Sequence, residues 1–388
     1  MVVAIMTRRL PSVRATVALV VLALLVASAG TALAETSVAA EPSPSTATTV
    51  QQTDACQFDR VFDEAITSVV TVRAFDQGGD RGLGSGWVYA VDGSDILVVT
   101  NAHVVDGSVG ADVRFSDGQW RPTVELVGID TYADLAVLRV ENPPNGTEPF
   151  ALTASPPDQG DAVAALGSPL GLEGSMTTGT VSAVDRSVTV GSEREVYTVV
   201  DAIQIDTPIS PGNSGGPLLD CEGDVVGVNF AGVSPVAGQN LNFAISAATV
   251  ERVVPELVEN GTYAHSFLGF RGITVSPTVA RMNDLDGTTQ GVLVESVIAG
   301  APADGQLHGS NATEYVTSIP IGGDVVVAVN GTEIGDVDEL RDYLFENTRP
   351  GDAVAMTVLR DGSQTNVTVT VAARPPSRER ASLEEPAV

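Results

Sequence analysis

Residues 211–218 read Pro211-Gly212-Asn213-Ser214-Gly215-Gly216-Pro217-Leu218. A serine hydroxyl is a poor nucleophile unless a tight turn presents it beside a base. Glycines on both sides of Ser214 let the chain turn sharply and admit a substrate strand. They also let the amides near Gly212 and Ser214 converge on one point, as a developing oxyanion requires. Read alone, the run is also compatible with a bland glycine turn, so the residues upstream must decide. Val98–Val105, VVTNAHVV, reads as a strand that ends in His103. Asp134 directly precedes the apolar run Leu135–Leu138. It is by default a turn residue, and alternatively the carboxylate that accepts His103 Nδ1–H and fixes its tautomer. The chain order His, Asp, Ser is the chymotrypsin-type order, not that of subtilisin or the α/β-hydrolases. The other histidines, His265 in an interdomain connection and His308 in a Gly/Asn-rich loop, are expected to be solvated.

The chain is 388 residues long, more than one core usually spans, so two domains are expected. Twenty basic and 49 acidic residues leave a net charge of −29, and every basic residue is arginine. That balance excludes a basic nucleic-acid footprint and argues against binding to anionic lipid. Acidic and lysine-free, the composition leads us to expect a high-salt setting. With 43 % apolar residues the chain folds, unlike a disordered acidic tail. Two cysteines and three histidines exclude a disulfide-dense scaffold and a Cys/His zinc cluster; no metal or cofactor is expected.

Residues 1–34 carry Arg8, Arg9 and Arg14, then an uncharged run from Ala15 that closes in Ala32-Leu33-Ala34. This is a signal peptide with an A-x-A site, or a membrane anchor, since twenty apolar residues would just span a bilayer. Thr7-Arg8-Arg9-Leu10 resembles a twin-arginine export signal, with the general secretory route as the alternative. Either way, the chain beyond residue 34 is expected to be exported and extracytoplasmic, secreted or anchored at the outer face of the cytoplasmic membrane. Residues 35–57 read as a flexible linker rich in Ser, Thr, Ala and Pro. Five Asn-x-Thr sequons, at Asn145, Asn260, Asn311, Asn330 and Asn366, are permitted by export but frequent by chance. From 58 to 262 short β-runs alternate with Gly, Asp and Pro, the spacing of antiparallel barrels or sandwiches. They include Ser68–Phe75, Gly86–Val91, Ile96–Thr100, Val124–Ile129, Leu135–Val140, Ala162–Gly167, Val225–Phe230 and Asn242–Ile245. A helix fits Ala247–Asn260, capped by Ser246 and ended by Gly261, with a kink expected at Pro255. A second β-rich unit covers 267–373, with a helix opening at Asp336-x-x-Glu339. The tail, 374–388, has no apolar period and reads as disordered.

Taken together, these motifs resemble the HtrA/Deg family of trypsin-like serine proteases with PDZ domains, over about residues 58–373. The shared runs are Gly84-Ser85-Gly86-Trp87, Thr100-Asn101-Ala102-His103-Val104, Asp134–Leu138, Ala165–Leu172 continuing into Thr178–Ser182, Ile203–Leu218 with Ile205 in place of Thr, and Asn242–Ile245. The resemblance implies an all-β fold: a chymotrypsin-like double β-barrel at 58–262, then a C-terminal PDZ domain at 267–373. It implies His103 as general base, Asp134 as its orienter and Ser214 as nucleophile. Gly212 and Asn213 then lie on the oxyanion-hole turn with the amide of Ser214. Ile209, Ser210, Asn229, Phe230 and Ala231 are implied to line the pocket for the residue before the scissile bond, which in the family is commonly a small or medium aliphatic. Pro208 stands where a trypsin would carry an acidic residue, against a basic specificity. The segment Asp76–Gly82 is short compared with the long regulatory loop of some members, against large-cage assembly.

Phe267-Leu268-Gly269-Phe270 is similar to the family's PDZ carboxylate-binding loop, where a small residue lets backbone amides approach a peptide C-terminus. Gly323–Gly331, GDVVVAVNG, is similar to the PDZ pattern G-D-x-I-x-x-x-N-G, with Val for Ile. Cys56 and Cys221 are a possible disulfide in an exported chain; two free buried thiols are the alternative. The expected activity is an ATP-independent serine endopeptidase that degrades misfolded or damaged extracytoplasmic proteins. The partners implied are unfolded polypeptides, peptide C-termini at the PDZ groove and, as family members often form one, a homotrimer. The rival is a peptide-binding chaperone or scaffold with little protease activity.

Overall fold

Short strands with one apolar face must pack that face on another sheet, and closing into a barrel removes their edges. In a computed structural model, which describes residues 56–168, 174–192, 195–230 and 241–375, the β-runs do this twice. A helix α1 (Phe58–Ala65) leads in. The first barrel comes next: β1 (Val69–Asp76), β2 (Gly79–Asp92), β3 (Asp95–Thr100), a one-turn helix α2 (Ala102–Val105), β4 (Gly110–Arg114), β5 (Trp120–Asp130) and β6 (Leu135–Val140). Its strands close in the order β1-β2-β3-β6-β5-β4. The second barrel contains β7 (Ala162–Gly167), β8 (Ser175–Ser192), β9 (Glu195–Ile205), β10 (Pro217–Leu219), β11 (Val225–Phe230) and β12 (Asn242–Ser246), closed as β10-β11-β12-β9-β8-β7. Each barrel fills its own interior, with Val72, Val98, Val113 and Leu138 in the first and Val163, Ile203, Ile205 and Leu218 in the second. A third cluster, including Trp87, Leu135, Leu166 and Ile245, cements the two together.

Helix α3 (Ala247–Asn260) covers that junction with Val250, Val253, Val254 and Leu257. Ser246 caps it by accepting from Thr249 N–H, and Gly261 ends it in the left-handed conformation. Pro255 lies inside it without ending it. The second unit has β13 (Ser266–Phe267), β14 (Phe270–Thr274), α4 (Pro277–Met282), β15 (Val292–Val297), β16 (Ala312–Thr313), β17 (Pro320–Ile321), β18 (Val325–Val329), β19 (Thr332–Glu333), α5 (Val337–Asn347), β20 (Ala353–Arg360), β21 (Ser363–Thr370) and β22 (Ala372–Ala373). Its main sheet runs β14-β15-β18-β20-β21 and leaves β14 at an edge. Asp336 caps α5 by accepting from Glu339 N–H at 2.8 Å. The Asp of the G-D pattern, Asp324, is wholly buried and gripped by both arms of Arg360 at 2.8 and 2.7 Å, so its charge is paired where water is absent. Of the export segment and linker expected over 1–57 and the tail expected over 374–388, residues 1–55 and 376–388 lie outside the described residues. The linker's last residues are held by the Cys56 disulfide, and the tail's first two are not loose, since Arg374 N–H donates to His265 O at 2.8 Å and the Tyr132 hydroxyl to Pro375 O at 2.7 Å.

Two local expectations are corrected. His103 does not end a strand: β3 stops at Thr100 and His103 sits in α2. His265 is not solvated: its side chain is 12 % exposed and Nε2 lies 2.5 Å from Asp130 Oδ2 of β5. It stacks on Phe345 of α5 and meets Tyr132 and Tyr263 edge-on. An aromatic cage with a buried carboxylate thus joins the second unit to the first barrel. His308 is exposed.

Cys56 and Cys221 form a disulfide with Cα atoms 5.1 Å apart, tying the start of α1 to the second barrel across 165 residues of sequence. On the chain-entropy model, closing so long a loop contributes up to about 5 kcal/mol. Replacing both cysteines by serine is expected to lower the denaturation midpoint accordingly. Mass spectrometry of unreduced, alkylated protein should find no label; two alkylated cysteines would reject the bridge.

On the flank of α5, the seam with the second barrel carries mostly negative charge. Asp185 of β8 and Asp201 of β9 face Asp342 and Glu346, and with Glu333 and Glu339 they line an opening of about 420 Å³. Ser187 donates to Asp342 at 3.5 Å, and Arg252 attracts Glu346. Burial, reinforced by Glu346, Asp338, Asp201 and Asp185, pushes the Asp342 carboxyl up to about 7. A raised carboxyl contributes stability that is complete below its ordinary value and is lost as pH climbs through the folded value. Asp342→Asn is therefore expected to leave the melting temperature unchanged near pH 4 and raise it at pH 8. An equal effect at both pH values would reject the assignment.

Candidate active site

The end of β3, the turn before β6 and the turn before β10 meet at the junction of the barrels. Asp134, 1 % exposed, has a left-handed backbone (φ 53°), which an Asp tolerates better than most side chains. That bend aims the whole residue at the His103 segment. Its Oδ2 lies 2.8 Å from His103 Nδ1, and its Oδ1 accepts the His103 N–H at 2.9 Å. Its own carbonyl accepts from Ala102 N–H at 3.1 Å and from Asn101 Nδ2 at 3.0 Å. Four hydrogen bonds thus join one aspartate to the start of α2. Burial alone would lower the His103 pKa, but the charge of Asp134 and the bond to it outweigh that, and the net direction is up. The His103 side chain keeps 40 % exposure.

Ser214 is fixed at the same barrel junction, where its carbonyl accepts from Ser85 N–H at 2.8 Å. Gly84 separates it from α2: a Cβ on Gly84 would stand 2.6 Å from Val104 Cγ2 and 3.0 Å from Ser214 O. Gly215 has φ +85°, and a Cβ there would stand 2.2 Å from Ser85 O and 2.4 Å from Thr100 Oγ1, so only glycine fits. Among the described residues no hydrogen bond holds the Ser214 hydroxyl, and the amides of Gly212 and Ser214 have no acceptor. The backbone N–H of Asn213 is committed to Ser210 O at 2.9 Å, which shapes the turn between the two free amides.

The expected pocket residues divide. Ile209 is half-buried against the second barrel's core, and Ser210 is exposed. Asn229 is turned into the barrel, where its Nδ2 donates to Pro217 O at 2.9 Å and Leu166 O at 3.3 Å. Phe230 stacks on Phe243 in the core. Ala231 lies outside the described residues. Sequence reading assigns no role to the buried polar collar of Ser85, Thr100 and Asn101. Their signal is their place in the shared runs around Gly84 and His103, with Ser85 and Thr100 polar inside strands that should be apolar.

In the second unit Phe267, Leu268 and Phe270 are buried, and Gly269 has φ +80° with Ala301 Cβ 2.2 Å from where its own Cβ would be. The carbonyls of Leu268 and Gly269 accept from Ala303 and Ile298, while among the described residues the amides of the same pair have no acceptor. Two free amides therefore sit beside the open edge of β14. Among the described residues no group of three or more His, Cys, Asp or Glu is placed to hold a metal ion, and no helix is long and apolar enough to cross a membrane.

The model of the trypsin-like peptidase domain matches residues 84–228, and that of the PDZ domain residues 268–371. The chloroplastic Protease Do-like 1 of Arabidopsis thaliana is 32 % identical over 84 % of this chain and 73 % of its own length. The chain belongs to the HtrA family of serine proteases. Other HtrA relatives include Serine protease Do-like HtrB of Bacillus subtilis, 32 % identical over 74 % of this chain and 61 % of that one. A probable periplasmic DegP-like serine endoprotease of Halomonas elongata is 36 % identical over 78 % of this chain and 58 % of that one. This HtrA chain thus spans about three fifths of the length of these bacterial relatives. Among solved structures, the HtrA-type protease AlgW with tripeptide covers 82 % of this chain and 98 % of its own, at 30 % identity and TM-score 0.66. The serine endoprotease from Yersinia pestis covers 83 % and 99 %, at 25 % identity and TM-score 0.60.

Proposed function

We propose that the chain is an ATP-independent serine endopeptidase of misfolded or damaged extracytoplasmic proteins, with a PDZ domain that takes peptide C-termini. The observation that carries the proposal is the clasp of the buried Asp134 carboxylate on His103, with the glycine turn of Ser214 tied through Ser85 to Thr100 just ahead of that histidine. In this reading Ser214 Oγ attacks the scissile carbonyl carbon while His103 Nε2 takes the hydroxyl proton. Asp134 holds Nδ1–H and stabilises the imidazolium. The oxyanion accepts from the amides of Gly212 and Ser214. His103 then returns the proton to the leaving amine, and water repeats the sequence on the acyl-enzyme. Apo proteases often lack the serine–histidine bond until substrate closes the site, so an unbonded Ser214 hydroxyl fits this role.

Ile209 and Ser210 border the residue before the scissile bond, and the free amides of Leu268 and Gly269 receive a peptide carboxylate while the peptide pairs with β14. Extracytoplasmic placement is supported by the disulfide, by the apolar run at residues 15–34 and by relatives named as periplasmic. A high-salt setting rests on the composition, and a homotrimer on family habit. The test is a fluorophosphonate probe on the purified protein, with casein as substrate. Labelling at Ser214 that abolishes casein cleavage supports the enzyme. Casein binding without labelling or cleavage supports the chaperone.

A further inference from the structure

Ser85 of β2 is fully buried and uses every polar atom it has on the segments that frame the nucleophile. Its N–H donates to Ser214 O at 2.8 Å. Its hydroxyl donates to Gly212 O at 2.6 Å and accepts from Ser168 N–H, just beyond β7, at 2.9 Å. Its carbonyl accepts from Thr100 Oγ1, at the end of β3, at 2.6 Å. No residue between a glycine and a glycine need carry a hydroxyl to form a strand.

The geometry matters because of what each bond fixes. Gly212 (φ +106°) lies in a conformation that carries no side-chain constraint, so its peptide planes must be held by partners. The Gly212–Asn213 plane is pinned at both edges, its carbonyl by Ser85 Oγ and its N–H by Ser210 O. The Ser214–Gly215 plane is pinned by Ser85 N–H. Ser85 thus holds the carbonyl edge of the plane following each of the two free amides, while Ser210 O and Asn229 O hold the N–H edges. Donors aimed beforehand at the oxyanion are what make such a hole effective.

We propose that Ser85 is a positioning residue whose hydroxyl, through Gly212 O, holds the Gly212 and Ser214 amides in line for the oxyanion. This rests on the reading of those amides as the hole. Removing the hydroxyl leaves the Gly212–Asn213 plane held at its N–H edge alone, without touching substrate or the His103–Asp134 pair. Ser85→Ala is expected to lower kcat by about 10- to 100-fold, less than outright loss of a hole donor. KM should stay within about twofold, because ground-state binding does not use the hole fully. The pH midpoint of kcat should not move, and the inhibition constant of a peptidyl boronate should rise by the same factor as kcat falls.

Ser85→Cys, a weaker donor of similar shape, should give an intermediate kcat and decides the matter if the alanine variant does not fold. An unchanged kcat in the folded variant, a loss that falls on KM, or a displaced pH midpoint would each overturn the proposal. Fluorophosphonate labelling separates the two levels. If the parent protein does not label at Ser214, the reading of the site fails. If parent and Ser85→Ala label at equal rates, the inference about Ser85 alone fails.

Discussion

Ser214→Ala is expected to remove peptidase activity by a factor on the order of 10⁶ in kcat, the usual consequence of losing a serine-protease nucleophile. The fold should not notice. Among the described residues the hydroxyl makes no hydrogen bond, and what anchors the residue is its carbonyl, which accepts from Ser85 N–H and survives the change. The buried position accommodates a methyl group, and the neighbouring glycines keep their conformation. Melting temperature and binding of a C-terminal peptide should match the parent within error, while cleavage of casein or a fluorogenic peptide falls to background. A Ser214→Ala protein that retains a hundredth or more of the parental rate would remove Ser214 from the mechanism. A variant that loses both activity and melting temperature would instead show that the hydroxyl is structural.

The parts of this site differ in how far they could be read beforehand. Helices α3 and α5 announce themselves, because Ser246, Gly261, Asp336 and Glu339 solve local problems of unpaired amides and carbonyls within a few residues. The strands β6, β7 and β11 are apolar runs bounded by turn residues, which set their limits. The long hairpin of β8 and β9 does not show itself: three register shifts between Val181 and Val188 break the alternation that would reveal it. Helix α2 is a single turn, too short for any periodicity, so His103 was readable as an important residue but not as a helical one. His265 and Asp342 fail for another reason. The partner of His265 stands 135 residues away, and the carboxylates facing Asp342 come from two strands of another domain. On its own helix Asp342 shares a flank with Asp338 and Glu346, which reads as a solvated acidic face. Ser85 hides within a strand-like motif because the value of its hydroxyl depends on two other segments, those of Gly212 and Ser168.

Asp134→Asn should cost about 10⁴ in kcat, by forcing the wrong tautomer of His103. The carboxylate serves two donors at once, the backbone N–H of His103 at Oδ1 and the ring Nδ1–H at Oδ2. An asparagine has one oxygen and one NH₂ group, so one donor must be refused. The backbone N–H cannot change its role, and an NH₂ facing it would leave two donors in contact at a buried site. The amide oxygen therefore stays with the backbone and the NH₂ faces Nδ1. The ring then loses its Nδ1 proton and carries one on Nε2, where it cannot take the proton of Ser214.

The same substitution removes the charge that holds the His103 pKa above its ordinary value and leaves the burial that depresses it. The residual activity should thus show a pH midpoint lower than the parent's, whose own midpoint lies above the free imidazole value. Stability carries its own pH signature. A raised histidine contributes stability that is complete below its unfolded pKa and is lost as pH rises through the folded one. Asp134→Asn should accordingly lower the melting temperature more near pH 5 than at pH 8. Rate profiles and melts across pH 5 to 9, on parent and variant, test both signs together. A variant within tenfold of the parental kcat, or one whose midpoint moves upward, would mean that Asp134 does not orient the base.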